Sequence, residues 1–525
     1  MNKTISKIFF TMLGMVCLTV VLTIQSCSDD PDPVFGQPAI SIQGDPLVLL
    51  KPGATISVTL NLDAEGGNGK LVVNRNGAFL EEVVLVSTAT TFTYNTQTVP
   101  ATLLEGDEIA YQFVLVNTQQ LESAPVSFTV SVASYDQVTV GTTPLYKIEA
   151  PSDNIIPEGQ TVKLSRNREY FLDASIQFAT GSTFTVEEGV KLYINTAGTD
   201  KRSINVLGQV NIQGTATNPV VFTSDKVLQA GATPAAGDWI QFRIQGTGPG
   251  SNSGTVRYLR IEYSGSDRGF RLVNVGSGTS ISYVQVYKST TEGFMPTNGD
   301  VNLSYVICTD CNGGAFRFGD NYTGNVQFAI AVSTTRTTTD ADELTIRETA
   351  TPKIANVTLV GPGADYGVNV HGIRFRSTSQ GKVYNSIVTA YPRRGVRLNE
   401  NVVTTDINGP TVFAHSYSFD VATEPYRDDR AGGTNPFRGS IVDDVFVNPY
   451  FNNVTGLDGT TPILTTIAGI GKNDFIPNAE TTSVFNPSTL GSFFVSAPFV
   501  GAIKDNNTAS DWTRGWVKNI DGTIR

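Results

Sequence analysis

The sequence contains little charge and little histidine. Asp, Glu, Lys and Arg make up 16% of its 525 residues, compared with about 25% in an average globular protein. The formal net charge is −11, so the chain lacks the basic surface that binding to nucleic acid or to anionic lipid requires. Only His371 and His415 supply imidazoles, whereas glycine occurs 50 times. This composition is typical of extracellular all-β proteins.

Common motifs of cofactor-dependent enzymes are also absent. We find no phosphate-binding loop, no Gly-x-Ser-x-Gly turn and no dinucleotide-binding glycine pattern. Cys308 and Cys311 have the C-x-x-C spacing, but no second cysteine pair and no histidine lie at the spacing of a zinc site. The sequence therefore predicts no catalytic residue, no metal and no cofactor, and a cysteine pair that is buried or bridged.

Residues 1–26 are predicted to be a signal peptide. Lys3 and Lys7 precede an apolar stretch at residues 8–24, as in secretory signals. A transmembrane helix is disfavoured because this stretch is at the short edge of a membrane span. Ile24-Gln-Ser-Cys27 resembles the lipobox of bacterial lipoproteins, which implies lipidation of Cys27.

The acidic segment that follows is predicted to be a tether, residues 27–37. Its Ser28-Asp-Asp-Pro-Asp-Pro33 sequence is similar to the surface-export signal of Bacteroidota lipoproteins, and an ordinary solvated linker is the alternative. The resemblance implies an outer-membrane protein that is held by its N-terminal lipid and faces the cell surface.

Residues 38–135 are predicted to form an antiparallel β-sandwich. Segments such as Ile56-Ser-Val-Thr-Leu-Asn-Leu62 alternate apolar and polar residues, with turn signals such as Asn76-Gly77 between them. The segment resembles the immunoglobulin-like domains of bacterial surface proteins, although it lacks a cysteine pair between the sheets. We expect a spacer, with ligand binding through its loops as the alternative.

A short sequence motif is repeated in the centre of the chain. Its aromatic position recurs at Tyr258, Tyr283, Tyr305 and Phe328, and a glycine-led motif such as Gly269-Phe-Arg-Leu272 follows the first three. A period of 20 to 30 residues made of short period-2 strands predicts a parallel β-helix solenoid. Successive coils bring the four aromatics into register as a stack, and we expect this stack to pack in the interior rather than to bind a ligand.

The repeat resembles right-handed parallel β-helices of the pectin-lyase-like superfamily. The resemblance covers residues 155–450, and we place the solenoid at residues 150–455. Residues 456–525 are predicted to be a C-terminal extension that caps the last coil. Its Asp511-Trp-Thr-Arg-Gly-Trp516 segment is similar to a terminal motif of Bacteroidota surface β-helix proteins.

A row of arginines is the candidate ligand-binding site. Outward positions of the glycine-led motifs are occupied by Arg271, Arg317 and Arg397, and Arg374 lies nearby. Met295 and Asn369 occupy the remaining outward positions. Such a row fits an acidic glycan, and a solvated strand face is the alternative.

His371-Gly-Ile-Arg374 is similar to the His-Gly element of polygalacturonase-type hydrolases. Those enzymes also need converging aspartates. The nearest candidates, Asp340, Asp342 and Glu343, lie in a threonine-rich segment that is interpreted as an insertion. The acidic pairs Asp428-Asp429 and Asp443-Asp444 are interpreted as surface turns.

These features favour a non-enzymatic surface lipoprotein. Its β-helix would bind a glycan, or an outer-membrane β-barrel partner of the TonB-dependent receptor type. A polysaccharide lyase or glycoside hydrolase acting on acidic glycans is the first alternative. An adhesin or envelope structural protein is the second.

Overall fold

A computed structural model describes residues 35–166, 168–406, 409–430, 437, 454–455, 464–467 and 472–525. The predicted signal peptide, Cys27, most of the tether and Asp443-Asp444 lie outside these residues. The described chain falls into two units, residues 35–46, 57–94 and 110–128 in the first and the remainder in the second. Within the described residues, no helix has the length and apolar character needed to span a bilayer.

The N-terminal strands are β1 (Ala39–Gln43), β2 (Leu47–Leu50), β3 (Thr55–Asp63), β4 (Asn68–Arg75), β5 (Ala78–Val84), β6 (Thr91–Thr98), β7 (Glu108–Asn117) and β8 (Val126–Val132). In the first unit, β1 pairs antiparallel with β3, and β4 pairs antiparallel with both β5 and β7. Alternate residues of β3 are buried, as its period-2 pattern predicts. The predicted antiparallel sheets are confirmed.

The second unit contains most of the chain. Its earlier strands are β9 (Gln137–Val140), β10 (Thr143–Ile148), β11 (Ile155–Ile156), β12 (Thr161–Leu164), β13 (Glu169–Leu172), β14 (Ile176–Phe178), β15 (Thr183–Val186), β16 (Lys191–Ile194), β17 (Ile204–Val206), β18 (Gln209–Gln213), β19 (Val220–Ser224) and β20 (Phe242–Gln245). The hairpin β9–β10 begins just after the predicted sandwich, and β10 pairs with β13 of the solenoid.

The later strands are longer. They are β21 (Gly254–Glu262), β22 (Phe270–Val273), β23 (Ser280–Ser289), β24 (Glu292–Thr297), β25 (Asn302–Cys311), β26 (Gly314–Phe318), β27 (Asn325–Val332), β28 (Ala341–Ile346), β29 (Lys353–Val360), β30 (Val370–Phe375), β31 (Lys382–Tyr391), β32 (Arg394–Leu398), β33 (Val412–Ala414), β34 (Tyr417–Val421), β35 (Glu424–Asp428), β36 (Val454–Thr455), β37 (Leu464–Ile467) and β38 (Lys472–Pro477). Short 3-10 helices occur at Asp225–Leu228, Thr404–Asp406, Pro487–Leu490 and Thr508–Ser510.

Three parallel sheets form the solenoid. Sheet I begins with β12, β15 and β18, and sheet II with β10, β13, β16 and β19. The two sheets join at β21, whose first half pairs with β18 and whose second half pairs with β19. Sheet III contains β11, β14, β17, β20, β22, β24, β26, β28, β30, β32 and β35 in that order. Each strand pairs with its equivalent in the next coil, which confirms the predicted parallel β-helix.

In seven coils, the residue at the corner between sheets I and II has a left-handed backbone conformation. We call these residues the corner ladder: Tyr258, Tyr283, Tyr305, Phe328, Asn356, Asn385 and His415. Their φ angles run from +50° to +60°, a conformation that costs a non-glycine residue about 1–2 kcal/mol. Asparagine tolerates it through local hydrogen bonds, whereas the aromatic residues require a compensating contact.

The aromatic part of the corner ladder forms the predicted stack. Ring centroids of successive residues from Tyr258 to Phe328 are 4.3, 4.4 and 4.8 Å apart. The expected interior position is wrong, because Tyr258 and Tyr283 are half-buried and pack against a cluster separate from the core. The interior is filled instead by inward residues of the sheets, such as Phe242 and Phe270, whose rings are 5.2 Å apart.

The sequence suggested a cap over the last coil, but the described C-terminal residues pack on the side of the solenoid. Residues 481–525, which we call the strap, lie along the corner ladder on the side of the solenoid. Trp516 contacts the rings of Tyr258 and Tyr283, and Asn385 Nδ2 donates to Phe485 O. The corner ladder offers half-buried rings and amide groups over several coils, and the strap covers them.

Candidate functional site

Sheet III carries a row of outward arginines in register. In strands such as β20, β22 and β30, apolar residues on either side of the arginine point into the core, so the arginine between them points outward. We call this row the arginine ladder, and its members are Arg243, Arg271, Arg317, Arg374, Arg397 and Arg427. Pairing places Arg243 beside Arg271, Arg374 beside Arg397 and Arg397 beside Arg427.

The strand register of sheet III corrects one predicted position in the arginine ladder and adds two arginines to it. Asn369 lies before β30, so the outward position predicted for Asn369 is occupied by Arg374. Thr345 occupies the equivalent position on β28, the preceding strand of sheet III. Arg243 and Arg427 were missed. The Phe242-Arg-Ile244 segment has the same pattern of apolar residues around an arginine, and this pattern is the signal by which Arg243 could have been found.

Carboxylates accompany the arginine ladder. Arg271 Nη1 lies 2.8 Å from Asp267 Oδ2, and Arg397 Nε lies 2.6 Å from Asp429 Oδ2. The ladder is therefore a strip of alternating donors and acceptors rather than a bare cationic stripe. Asp429, predicted as a surface turn, belongs to this strip.

His371 lies at the centre of a polar cluster. Its Nε2 atom is 2.8 Å from Asp340 Oδ1, and it pairs in register with Asp342 of the preceding coil. Arg374 Nη1 lies 3.4 Å from Asp342 Oδ2, and Arg374 Nη2 donates to Asn399 Oδ1 at 2.8 Å. The predicted insertion at 340–343 is wrong, because Ala341–Ile346 is strand β28 of sheet III.

Burial dominates the ionisation of this central cluster. It raises the pKa of the Asp342 carboxyl, although the positive charge of Arg374 acts in the opposite direction. It also lowers the pKa of His371, against the hydrogen bond to Asp340. Asp342 Oδ1 and His371 Nδ1 are buried and have no hydrogen-bond partner among the described residues. A buried carboxyl with a raised pKa beside an imidazole is a candidate for proton transfer or for binding a hydroxyl group.

The comparisons with known proteins bear on the solenoid. The model of the pectate-lyase-like β-helix domain family matches residues 156–446. The chain belongs to this family. No curated protein matches the sequence significantly. A solved structure of the fibronectin(III)-like modules of Clostridium thermocellum CbhA matches at 11% identity, over 18% of this chain and 98% of that chain, with a TM-score of 0.15.

Glu343 points away from the site that Asp342 serves. It forms a buried ion pair with Arg336, and Ser333 Oγ lies 3.1 Å from Glu343 Oε2. Next to this pair, Cys308 and Cys311 form a disulfide and are each 1% exposed, which confirms the predicted bridge. Among the described residues, no group of three or more His, Cys, Asp and Glu side chains is arranged to hold a metal ion.

We expect Asp342→Asn to make the protein more stable at neutral pH. Because the folded pKa of Asp342 is raised, its contribution is fully present below its ordinary value of 3.8 and is lost as pH rises through the folded pKa. Asparagine cannot ionise and escapes this loss, and Arg374 keeps Asn399 as a partner. Urea unfolding of both proteins across this pH range should show a difference that grows with pH.

Asp340→Asn is the matched control, with the opposite sign. The hydrogen bond from His371 lowers the pKa of Asp340, so its stabilising contribution is present at neutral pH and is lost as pH falls. The control should therefore be less stable than the natural protein at neutral pH. A variant at Asp342 that is destabilised at neutral pH would contradict the assignment of a penalised buried charge.

Proposed function

We propose that the β-helix binds an acidic polysaccharide along the arginine ladder, without cleaving it. The observation that carries this proposal is the set of arginines at equivalent positions on six of the eight sheet III strands from β20 to β35, where neighbouring strands repeat at about 4.8 Å. A guanidinium presents a rigid fork that matches a carboxylate with two hydrogen bonds. A chain of uronic acids, with a carboxylate on each sugar, has the repeating charge that such a row recognises.

The acceptors of the strip support a sugar rather than a simple polyanion. The Asp267 side chain beside Arg271 is 40% exposed, so its carboxylate is accessible to a ligand. Sugar hydroxyls are donors that can pair with such a carboxylate. Membership of the pectate-lyase-like β-helix family is consistent with a carbohydrate ligand.

Removing ladder charge should weaken this binding. We expect Arg271→Gln and Arg317→Gln each to lower the affinity for polygalacturonate about tenfold, because a hydrogen bond to a charged group contributes about 1.5–3 kcal/mol. Affinity electrophoresis in gels containing polygalacturonate or neutral dextran measures the effect. Retention should also fall as salt is added, since the ladder is partly exposed.

Arg257→Gln is the matched control for charge. Arg257 is an exposed arginine of sheet I whose guanidinium lies 5.3 Å from the centre of the Tyr258 ring. This variant should bind polygalacturonate as the natural protein does. Equal retention of the ladder variants and the control would refute the ladder as the binding surface.

Glycan cleavage is the second candidate. It is favoured by the buried Asp342 beside His371, since a carboxyl with a raised pKa can act as a general acid. New reducing ends or unsaturated uronates in the same incubations would establish it. Absence of both binding and cleavage would favour the third function, that of a structural rod or adhesin.

We also propose that the protein is a lipoprotein anchored at Cys27 in the outer membrane, facing outward. The Ile24–Cys27 motif and the acidic tether support this location. A binding β-helix in that position could present glycan to an outer-membrane β-barrel partner of the TonB-dependent receptor type.

A further inference from the structure

The strap is held to the solenoid through its backbone as well as through buried side chains such as Trp516. Lys518 N–H donates to Gln285 Oε1 at 2.8 Å, and Gln285 Nε2 donates to Lys518 O at 2.8 Å. Gln327 makes the same pair of bonds with Val495, at 2.9 and 3.1 Å. Both glutamines are buried. Each one reproduces the paired bonds that a neighbouring antiparallel strand would make, so these contacts do not depend on the strap side chain.

Asparagines of the corner ladder extend this backbone recognition. Asn356 Nδ2 donates to Phe499 O at 2.8 Å, and Asn385 Nδ2 donates to Phe485 O at 3.1 Å. In return, Gly501 N–H donates to Asn385 O at 2.8 Å. Asn356 and Asn385 therefore have two roles. Each adopts the left-handed backbone conformation at the corner, and each binds the strap through its side-chain amide.

Two tryptophans supply side-chain recognition. The Trp512 ring lies 5.2 Å from that of Tyr305, and the Trp516 ring lies 5.6 Å from that of Tyr258, both in edge-to-face geometry. Aromatic pairs in this geometry contribute beyond the area they bury. The strap tryptophans therefore pack on the stacked tyrosines, in the same flank of the solenoid as the amides that bind the strap backbone.

The strap runs against the order of the coils. Phe485 contacts Asn385, a residue 100 positions earlier, and Lys518 contacts Gln285, a residue 233 positions earlier. The final residues of the chain therefore bind the earlier coils. These contacts are noncovalent and continue over several coils, as the contacts of a bound peptide segment do.

We propose that this flank of the solenoid is a peptide-binding groove. Its occupant in this chain is the strap, and it accepts the same segment supplied by a separate molecule. The fitting partner is a peptide that carries two tryptophans four residues apart within a turn, as the strap does.

Peptide exchange on the full-length protein tests this inference. A site-specific protease sequence is inserted between Glu480 and Thr481, and the chain is cut after folding. Circular dichroism should show that the sheet content is retained, and size-exclusion chromatography should show that the strap remains bound. A fluorescent peptide of residues 481–525 should then replace the cut strap.

Amide removal should speed this exchange. Gln285→Ala combined with Gln327→Ala removes four backbone hydrogen bonds and should raise the release rate about tenfold or more. Gln380→Ala is the control, because Gln380 donates to Asp406 in a turn away from the groove. A labelled peptide with both tryptophans replaced by alanine should fail to bind.

Three results would overturn the proposal. The first is loss of sheet structure on cutting, which would make the strap part of the core rather than an occupant. The second is a cut strap that the labelled peptide never replaces. The third is equal binding of the peptide without tryptophans.

Discussion

Replacing Trp516 with alanine should lower the free energy of unfolding by about 3–5 kcal/mol, the range for a large buried aromatic side chain. Trp516 is 0% exposed, and its ring contacts those of Tyr258 and Tyr283. Its Nε1 donates to Trp512 O at 2.9 Å, and Arg260 Nη1 donates to its carbonyl at 2.9 Å. Truncation removes the ring that covers the aromatic corner, while the tyrosines keep their strained backbone.

Denaturant unfolding of the full chain measures this loss. Trp512→Ala is the matched control, because Trp512 is only partly buried, and its effect should be smaller. Trp516→Phe should recover part of the stability by restoring a ring. If Trp516→Ala cost no more than Trp512→Ala, the aromatic corner would not depend on the strap.

The repeat was predictable because each coil encodes it locally. The spacing of Tyr258, Tyr283, Tyr305 and Phe328 is enough by itself to indicate a stack. Periodicity does not specify whether a corner residue faces the core or the surface, since that depends on its φ angle. The covering strap was also hidden, because it joins residues more than 200 positions apart and no repeat pattern marks such a contact.

The arginine ladder was predictable in part for the same reason. Alternation of apolar residues around Arg271, Arg317 and Arg397 reveals an outward row. The position of Arg374 was misjudged because a loop of variable length precedes β30. The partners of the row, such as Asp267 and Asp429, come from turns and strand ends. Their positions follow from loop lengths that the sequence pattern does not fix.

Glu343→Gln should lower the free energy of unfolding by about 3–5 kcal/mol, as expected when one partner of a buried ion pair is removed. The side chains of Arg336 and Glu343 are 0% and 1% exposed. Burial raises the pKa of Glu343, whereas arginine remains charged throughout the accessible pH range. The variant therefore leaves a buried guanidinium whose remaining partners, Cys311 O and Ser333 Oγ, are neutral.

A double-mutant cycle separates the pair from its surroundings. Arg336→Met combined with Glu343→Leu removes both charges and should be much less destabilised than Glu343→Gln, because no unpaired charge stays buried. Chemical denaturation of Arg336→Met, of Glu343→Leu and of the double variant gives the coupling energy. Additive losses would show that the ion pair is not coupled.

The same pair links stability to the proposed site. Glu343 and Asp342 are adjacent in β28, one bonded to Arg336 and the other facing Arg374 and His371. The buried pair therefore fixes the strand that places Asp342 in the central cluster. The double variant, folded but without this anchor, should bind polygalacturonate more weakly than the natural protein. Unchanged binding would mean that sheet III pairing alone positions Asp342.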